Sequence, residues 1–218
     1  MAGGAQMIRG IDVSHHNNLG QLLIKLKPYD RKFIIIKATE GKTFRDPDCI
    51  INTRLTESET DLIGYYHYAR PENNNPIDEA KNFLSHPEVK SHIGKAILAL
   101  DWEQNALHYS IDWAKQWLEY VYKQTGVKPL FYCSSWYTTR LHTILAGGFG
   151  LWVAHYTRLK KPFIGCYPFW AIWQYGSPSA SSEFKCDYDY FNGTAQQFKK
   201  YMKSNTSIID KKGDSNVT

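Results

Sequence analysis

Short apolar runs rich in β-branched and aromatic residues recur along the whole chain, and they limit its fold more than any other feature. Eight runs have the length and composition of β-strands: Ile8–Val13, Phe33–Ala38, Leu62–Tyr68, Ala96–Glu103, Pro129–Cys133, Leu151–Ala154, Trp170–Trp173 and Phe184–Tyr188. Segments with helical spacing of apolar residues lie between most of the early runs: Leu19–Leu26, Asp48–Ser58, Pro76–Leu84, Ile111–Tyr122 and Trp136–Leu145. Strands that alternate with helices predict a parallel barrel built from βα units.

The last three predicted strands are separated by only about 10–15 residues, which is too short for a full crossover helix. We therefore predict an α/β fold, an irregular (β/α) barrel of the TIM-barrel type with eight strands and fewer than eight helices. Its final strands are expected to be joined by loops or a hairpin. One catalytic domain should span residues 7–203, followed by a polar, disordered tail over residues 204–218.

Composition excludes several classes of protein. The chain has 218 residues, of which 15 are Tyr, 10 Phe and 7 Trp, and such rings suit stacking on sugars or bases. The net charge of +5 permits an anionic partner, but it is the only feature that favours nucleic acid, so we expect none. No apolar run reaches the length of about 18 residues that a membrane span needs. The four cysteines form no CxxC pair, which argues against a zinc ribbon and favours free thiols.

Two carboxylates end the fourth predicted strand, Ala96–Glu103. Side chains alternate across a strand, so Asp101 and Glu103 share one face, about 6.5 Å apart along the backbone. Two like charges this close cannot both ionise freely, so one should keep its proton near neutral pH. Glycoside hydrolysis needs this pair, an acid for the leaving oxygen and a carboxylate for the positive centre. The spacing falls between the separations of retaining and inverting enzymes and leaves the stereochemistry open.

Two further acids reach strand ends. Asp12 lies near the end of the first predicted strand, and Asp187, with Asp189 two residues later, lies in the eighth. The first and eighth strands of a closed barrel are neighbours, so Asp12 and Asp187 could face the Asp101/Glu103 pair across the mouth. Each of these acids alone is more simply explained by exposure to solvent, and it is their convergence that indicates a site.

Eight motifs in order resemble the glycoside hydrolase family 25 muramidases, the Chalaropsis-type lysozymes. They run from about Ile8 to Phe191 and read GIDVSHHN, IIIKATEG, GYYHYARP, LALDWE, FYCSSWY, LWVAHY, WAIWQYGS and CDYDYF. The resemblance implies a flattened, irregular barrel that cleaves the β-1,4 bond from N-acetylmuramic acid to N-acetylglucosamine in peptidoglycan, with no cofactor or metal. It implies that Glu103 is the acid/base, Asp101 its partner carboxylate, and Asp12 and Asp187 the remainder of the acidic cluster. It also favours retention.

The same resemblance assigns groove residues. It puts in the groove three tyrosines, a tryptophan and an amide that could bind an acetamido group: Tyr66, Tyr132, Tyr156, Trp173 and Gln174. Packing in the core is an equal alternative for Tyr66 and Trp173. Lys37 could meet a lactyl or peptide carboxylate. The chain departs from the family pattern at His16, where an aromatic residue is frequent, and at Asp189, where Asn is common and an added negative charge would alter the site.

Two alternatives remain at this stage, a chitinase-like β-N-acetylglucosaminidase and a non-catalytic sugar-binding barrel. The apolar residues before Asp101 argue against the first, and the presence of both Asp101 and Glu103 argues against the second. The start, MAGGAQMIRG, has no secretory signal. We therefore expect a monomer that acts on the bacterial cell wall, either as a phage endolysin released from the host cytoplasm or as a secreted lysozyme whose leader has been removed.

Overall fold

The computed structural model describes residues 7–27, 30–176 and 186–203, and in these ranges nine strands form one sheet. The strands are β1 (Ile8–Val13), β2 (Arg31–Glu40), β3 (Phe44–Arg45), β4 (Ile63–Tyr68), β5 (Ile97–Asp101), β6 (Leu130–Ser134), β7 (Leu151–Ala154), β8 (Ile172–Gly176) and β9 (Asp187–Phe191). The helices are α1 (Leu19–Lys25), α2 (Cys49–Glu57), α3 (Pro76–Ser85), α4 (Pro87–Ser91), α5 (Ile111–Thr125), α6 (His142–Ala146) and α7 (Ala195–Met202). Two 3₁₀ helices cover Gln104–His108 and Ser135–Arg140.

Eight of the strands close into a barrel. The order is β1-β9-β8-β7-β6-β5-β4-β2, and a parallel pairing of β1 with β2 joins the two ends. The short β3 adds to β2 from outside as an antiparallel strand. Seven α-helices occur in the described ranges. The predicted irregular α/β barrel with eight strands is therefore confirmed.

The direction of the last strand differs from a fully parallel barrel. β9 pairs antiparallel with both β8 and β1, whereas the pairings between the other barrel strands are parallel. The predicted hairpin-like join of the final strands therefore applies to β8 and β9. β9 begins at Asp187, three residues after the start predicted from the sequence. Phe184 and Lys185, like the predicted tail over residues 204–218, lie outside the described residues.

Side-chain alternation divides the apolar residues into two cores. The inner one fills the barrel and takes Ile97 and Ala99 from β5. The outer one lies under the helices and takes Leu98, Leu100 and Trp102 from the same stretch. This is the division that a period of two predicts. The inner core also contains two side chains of α7, Phe198 and Met202, so this helix covers the barrel end where the parallel strands begin.

Two smaller findings complete the fold. The four cysteines, which all fall in the described ranges, are free thiols: Cys49, Cys133, Cys166 and Cys186. No helix among the described residues combines the length and the apolar character that crossing a membrane requires.

One glycine is required by the close packing inside the barrel. A Cβ atom on Gly10 of β1 would lie 2.4 Å from the ring of Phe33 on β2. That ring is fully buried and packs against Phe198 with ring centroids 5.0 Å apart, so it has little room to retreat. We predict that Gly10→Ala lowers the free energy of unfolding by about 1–3 kcal/mol through overpacking.

Urea unfolding followed by tryptophan fluorescence measures this loss. Gly20→Ala is the matched control, because the nearest atom to its Cβ is at 3.6 Å and the residue lies in α1, where alanine is favoured over glycine. In a Phe33→Leu background, Gly10→Ala should lower the free energy of unfolding by less, since the smaller side chain of leucine makes room for the added methyl group. Equal losses in both backgrounds would show that Phe33 is not the cause.

Candidate active site

The carboxyl end of β5 carries the Asp101/Glu103 pair. Asp101 is the last residue of the strand and is only 7% exposed. The chain continues extended through Glu103 (φ −145°, ψ −178°), so Glu103 keeps the period of two although the strand ends earlier than predicted. Between them, Trp102 packs on the opposite side, against Trp113 and Phe131 in the outer core. This anchored tryptophan directs both carboxylates away from the helices.

The backbone turns sharply just after the pair. Gln104 has φ +48°, which is unusual for a residue with a side chain and is frequent at functional sites. This turn leads directly into the 3₁₀ helix over Gln104–His108. Within the described part of the chain, the carboxyl group of Glu103 has no hydrogen-bond partner, and Asp101 Oδ1 is buried without one. Both groups are therefore available to a substrate.

Asp12 and Asp187 meet at the same end of the barrel. Asp12 is next to last in β1, and its direct partner across the antiparallel β1–β9 pairing is Asp187, the first residue of β9. We had expected Asp187 near the end of its strand, and the reversed direction of β9 is what brings the start of the strand to this end. Asp12 is buried and Asp187 is half-buried. The four acids that the sequence singled out thus lie at one rim.

Burial and mutual repulsion make these acids hold protons. Burial, and then the charge of Asp187, raises the pKa of Asp12 to about 7. Burial and the charge of Glu103 raise the pKa of Asp101, and burial and the charge of Asp187 raise the pKa of Glu103. Lys37 opposes the shift in both members of the pair, because a nearby cation favours the ionised form. The rim therefore holds at least one transferable proton near neutral pH.

Gln174 connects residues of the rim to one another through its amide. Its Nε2 donates to Asp12 Oδ2 at 2.8 Å, and its Oε1 accepts from the hydroxyl groups of Tyr132 at 2.9 Å and Tyr156 at 2.7 Å. Gln174 is 3% exposed. These three bonds give Gln174 a positioning role within the protein, and its contact with an acetamido group stays a prediction. Tyr132 is buried as well, whereas Tyr156 is 58% exposed.

Tyr66 and Trp173, the remaining two aromatic groove candidates, differ in where they lie. Tyr66 is half-buried beside Trp152 in the inner core, with its pKa raised by burial and by Asp12 and Asp101, so it lies at the rim. Trp173 does not. It follows Ile172 and precedes Gln174 in β8, so it points to the other side of the strand, into the outer core. Its Nε1 donates to the carbonyl of His155 at 2.8 Å, and the residue is buried, which favours the alternative of packing in the core.

Lys37 lies at the rim but has a partner of its own. Its Nζ contacts Glu40 Oε2 at 2.7 Å and lies 4.9 Å from the centre of the Tyr68 ring. Arg70 binds the other oxygen of Glu40 at 2.7 Å. The side chain of Lys37 is also buried, so its charge faces Glu40 here, and its role in binding a substrate carboxylate stays a prediction. Glu40, Tyr68 and Arg70 are parts of the rim that sequence reasoning missed, although all three lie in the IIIKATEG and GYYHYARP motifs.

His15, His16 and His67 make contacts within the protein. His15 and His16 follow β1 in a turn, and their rings are 3.9 Å apart. His15 Nδ1 contacts the buried Asp46 at 2.7 Å, another residue that was missed. His67 has a packing role. It stacks on Trp117 and contacts Glu79 at 2.8 Å inside the outer core.

Asp189 is the departure from the family pattern that affects the site most. It is fully buried in the barrel, where its Oδ1 accepts from Trp152 Nε1 at 2.9 Å and its Oδ2 has no hydrogen-bond partner among the described residues. Burial and the charge of Asp12 raise the pKa of Asp189 well above its usual value. This shift favours the uncharged acid and so works against the additional negative charge that was expected at Asp189.

Asp189 and Asp12 should make stability depend on pH. A carboxyl group whose pKa is raised by folding contributes stability that is complete below its unfolded pKa of about 4 and is lost as the pH rises through its folded value. For Asp12 that value is about 7. We predict that the free energy of unfolding falls by a few kcal/mol between about pH 4 and pH 7. Asp189→Asn should make the fall shallower, because it removes one of the buried groups that titrate.

Urea unfolding at a series of pH values tests this. Asp30→Asn is the control, because Asp30 is an exposed carboxylate at φ +48°, a conformation that asparagine tolerates. This variant should keep the pH dependence of the parent protein. A parent-like fall in Asp189→Asn would mean that other groups cause it.

The sequence of this chain is similar to those of known proteins. The family model Glycosyl hydrolases family 25 matches residues 11–184. Uncharacterized protein YegX of Escherichia coli O157:H7 is 31% identical over 207 residues, which cover 89% of this chain and 73% of that protein. Lysozyme M1 of Streptomyces globisporus is 27% identical over 204 residues, 86% of this chain and 69% of that protein.

Solved structures agree in fold. The structure of a family GH25 lysozyme from Aspergillus fumigatus matches with a TM-score of 0.73 and 25% identity, over 91% of this chain and all of that one. The family model covers most of the chain, including Asp12 near the end of the first strand and the strand that ends in Asp101. The chain therefore belongs to glycosyl hydrolases family 25.

Proposed function

We propose that this glycoside hydrolase is a muramidase, which cleaves the β-1,4 bond between N-acetylmuramic acid and N-acetylglucosamine in bacterial peptidoglycan. The observation that carries the proposal is the pair Asp101 and Glu103 at the end of β5, free of hydrogen-bond partners in the described residues and facing Asp12 and Asp187 at one rim. Its family membership and its similarity to Lysozyme M1 support it. The place of action that follows is the bacterial cell wall.

The two carboxyl groups have different tasks in this mechanism. Glu103, the less buried member, gives its proton to the glycosidic oxygen as the bond to the muramic acid carbon breaks. Glu103 is left as a carboxylate, and Asp101 acts in its ionised form, which the nearby charge of Lys37 favours. Asp101 supports the positive centre on the sugar, either by attacking it or by orienting the acetamido group of the substrate to attack. Water completes the hydrolysis, with Glu103 acting as base.

The residues around the pair prepare it for this chemistry. Burial and the charge of Asp187 raise the pKa of Glu103, which favours the protonated form that a general acid needs. Asp12 is held by Gln174, and it presents a second acid to the same space. Tyr66 and the exposed ring of Tyr156 are the aromatic surfaces at the rim that can contact sugar rings.

We predict that Glu103→Gln abolishes lysis while binding to cell walls remains. The amide has the shape of the acid but cannot transfer a proton, so kcat should fall by about 10²–10⁴-fold. Turbidity loss of purified peptidoglycan measures lysis, and co-sedimentation with the same material measures binding. Glu119→Gln, an exposed glutamate on α5, is the control and should match the parent protein.

If the parent protein binds walls without lysing them, a sugar-binding barrel without catalysis is the correct description. If Glu103→Gln lyses as fast as the parent, Glu103 is not the acid.

The identity of the new reducing ends tests the bond that is cut. We predict that the peptidoglycan fragments released by the protein have muramic acid at their new reducing ends, where borohydride reduces them. The reason is that the proposed site breaks the bond at the anomeric carbon of muramic acid. Mass spectrometry of the reduced fragments separates the outcomes. Reduced glucosamine would indicate a β-N-acetylglucosaminidase, and digestion of chitin at a similar rate would indicate a chitinase-like enzyme.

A further inference from the structure

The loop that follows β7 forms a compact cationic surface beside the acidic rim. It runs over residues 155–163 and reads HYTRLKKPF. The side chains of Arg158, Lys160 and Lys161 are exposed and have no ion pair within the described part of the chain. No acidic residue lies between His155 and Phe163. The loop thus carries three uncompensated positive charges, more than half of the net charge of +5.

Both ends of the loop are held. The backbone N–H of Phe163 donates to His155 Nδ1 at 3.0 Å, which closes the loop on itself. The N–H of His155 donates to the carbonyl of Gln174 at 3.0 Å, and its carbonyl accepts from Trp173 Nε1. The buried Trp173 therefore fastens the start of the loop to β8. A surface anchored in this way can bind a ligand without first being ordered.

The loop continues directly from the acidic rim. Tyr156 is its second residue, and its hydroxyl group donates to Gln174, which in turn donates to Asp12. The charges of Asp187, Asp12 and Glu103 all raise the pKa of this tyrosine, which confirms that it lies close to the carboxylates. Beyond Tyr156, the apolar side chains of Leu159 and Phe163 are 65% and 52% exposed. A glycan strand held at the rim would have this cationic and apolar loop alongside it.

We propose that loop 155–163 binds the carboxylate groups of the peptide stems that peptidoglycan carries on its muramic acid residues. This assignment rests on the proposed function. The rim itself is acidic and would repel an anionic stem, whereas three exposed cations next to it would attract one. Lys37 is buried and paired with Glu40. Arg158, Lys160 and Lys161, in contrast, are exposed to an incoming stem.

The test uses the variant Arg158→Gln/Lys160→Gln/Lys161→Gln and two substrates. One is purified peptidoglycan, and the other is the same preparation with its peptide carboxylates converted to carboxamides. For the native substrate the triple variant should have a KM raised about tenfold with kcat unchanged, which corresponds to about 1.4 kcal/mol. The parent protein should show a similar rise on the amidated substrate. The triple variant should show no further rise there, since the partner charges are already gone.

Lys90→Gln/Lys95→Gln/Lys123→Gln is the matched control. These exposed lysines lie on α4, just before β5 and on α5, so the variant has the same net charge without changing the loop. Its KM should equal that of the parent on both substrates. Raising the salt concentration should reduce the difference between the parent and the loop variant, because exposed charges are screened.

Three results would overturn the proposal. The first is an unchanged KM in the loop variant. The second is a KM that the loop changes raise equally on native and amidated substrates, and the third is a loss of binding only to a phosphate-rich wall polymer. Co-sedimentation of Glu103→Gln, with and without the loop changes, keeps this test separate from the proposed function. Weaker binding of the loop variant to native but not amidated peptidoglycan supports the loop assignment even if the parent protein does not lyse the wall. Equal binding refutes it even if the parent protein does.

Discussion

The direction of one strand is the constraint on which the site depends. Because β9 runs antiparallel to β1, its first residue, Asp187, lies opposite Asp12 at the rim where the parallel strands end. A parallel β9 would bring its last residue, Phe191, to that rim and carry Asp187 to the far end of the barrel. The same pairing sets Asp189 opposite Gln174 and Gly10. The acidic cluster is therefore a consequence of how the barrel closes.

A cluster of buried acids opposes folding, and the structure offsets this cost in several ways. Burial raises the pKa of Asp189 well above its usual value, which favours the uncharged form inside the barrel. The Gln174 amide and the Trp152 indole provide donors, and the Lys37 ammonium provides an opposite charge. The part of this unfavourable free energy that is not offset remains at the rim, as is usual where functional groups need shifted pKa values. The tightly packed inner core, with Phe33 against Gly10, supplies the stability that tolerates it.

Cations have two roles in this protein, and burial decides between them. Lys37 is enclosed with Glu40 and Tyr68, so its charge acts on the neighbouring carboxylates and not on solvent. Arg158, Lys160 and Lys161 are exposed on an anchored loop, where their charges reach into solvent. Both sets lie near the same rim, and together they surround the acids with positive charge on two sides. A count of charged residues could not distinguish these roles.

Local patterns made much of the molecule predictable. The strand and helix periods located the barrel, and alternation along Ile97, Ala99, Asp101 and Glu103 gave the shared face of the two carboxylates. The surroundings of Trp173 and Gln174 could not be predicted, because a motif gives no direction for each side chain, and partners such as Asp12 and Gln174 are 162 residues apart. The raised pKa of Asp189 could not be predicted either, because the groups that cause it are not visible in the residues beside it.

The sequence by itself determined the fold class, the family and the identity of the acids, since these follow from short-range periodicity and ordered motifs. Only the tertiary structure decided the direction of β9, which side chains reach the rim and which acids keep their protons. Those properties depend on desolvation and on charges from distant parts of the chain, and both exist only after the barrel has closed.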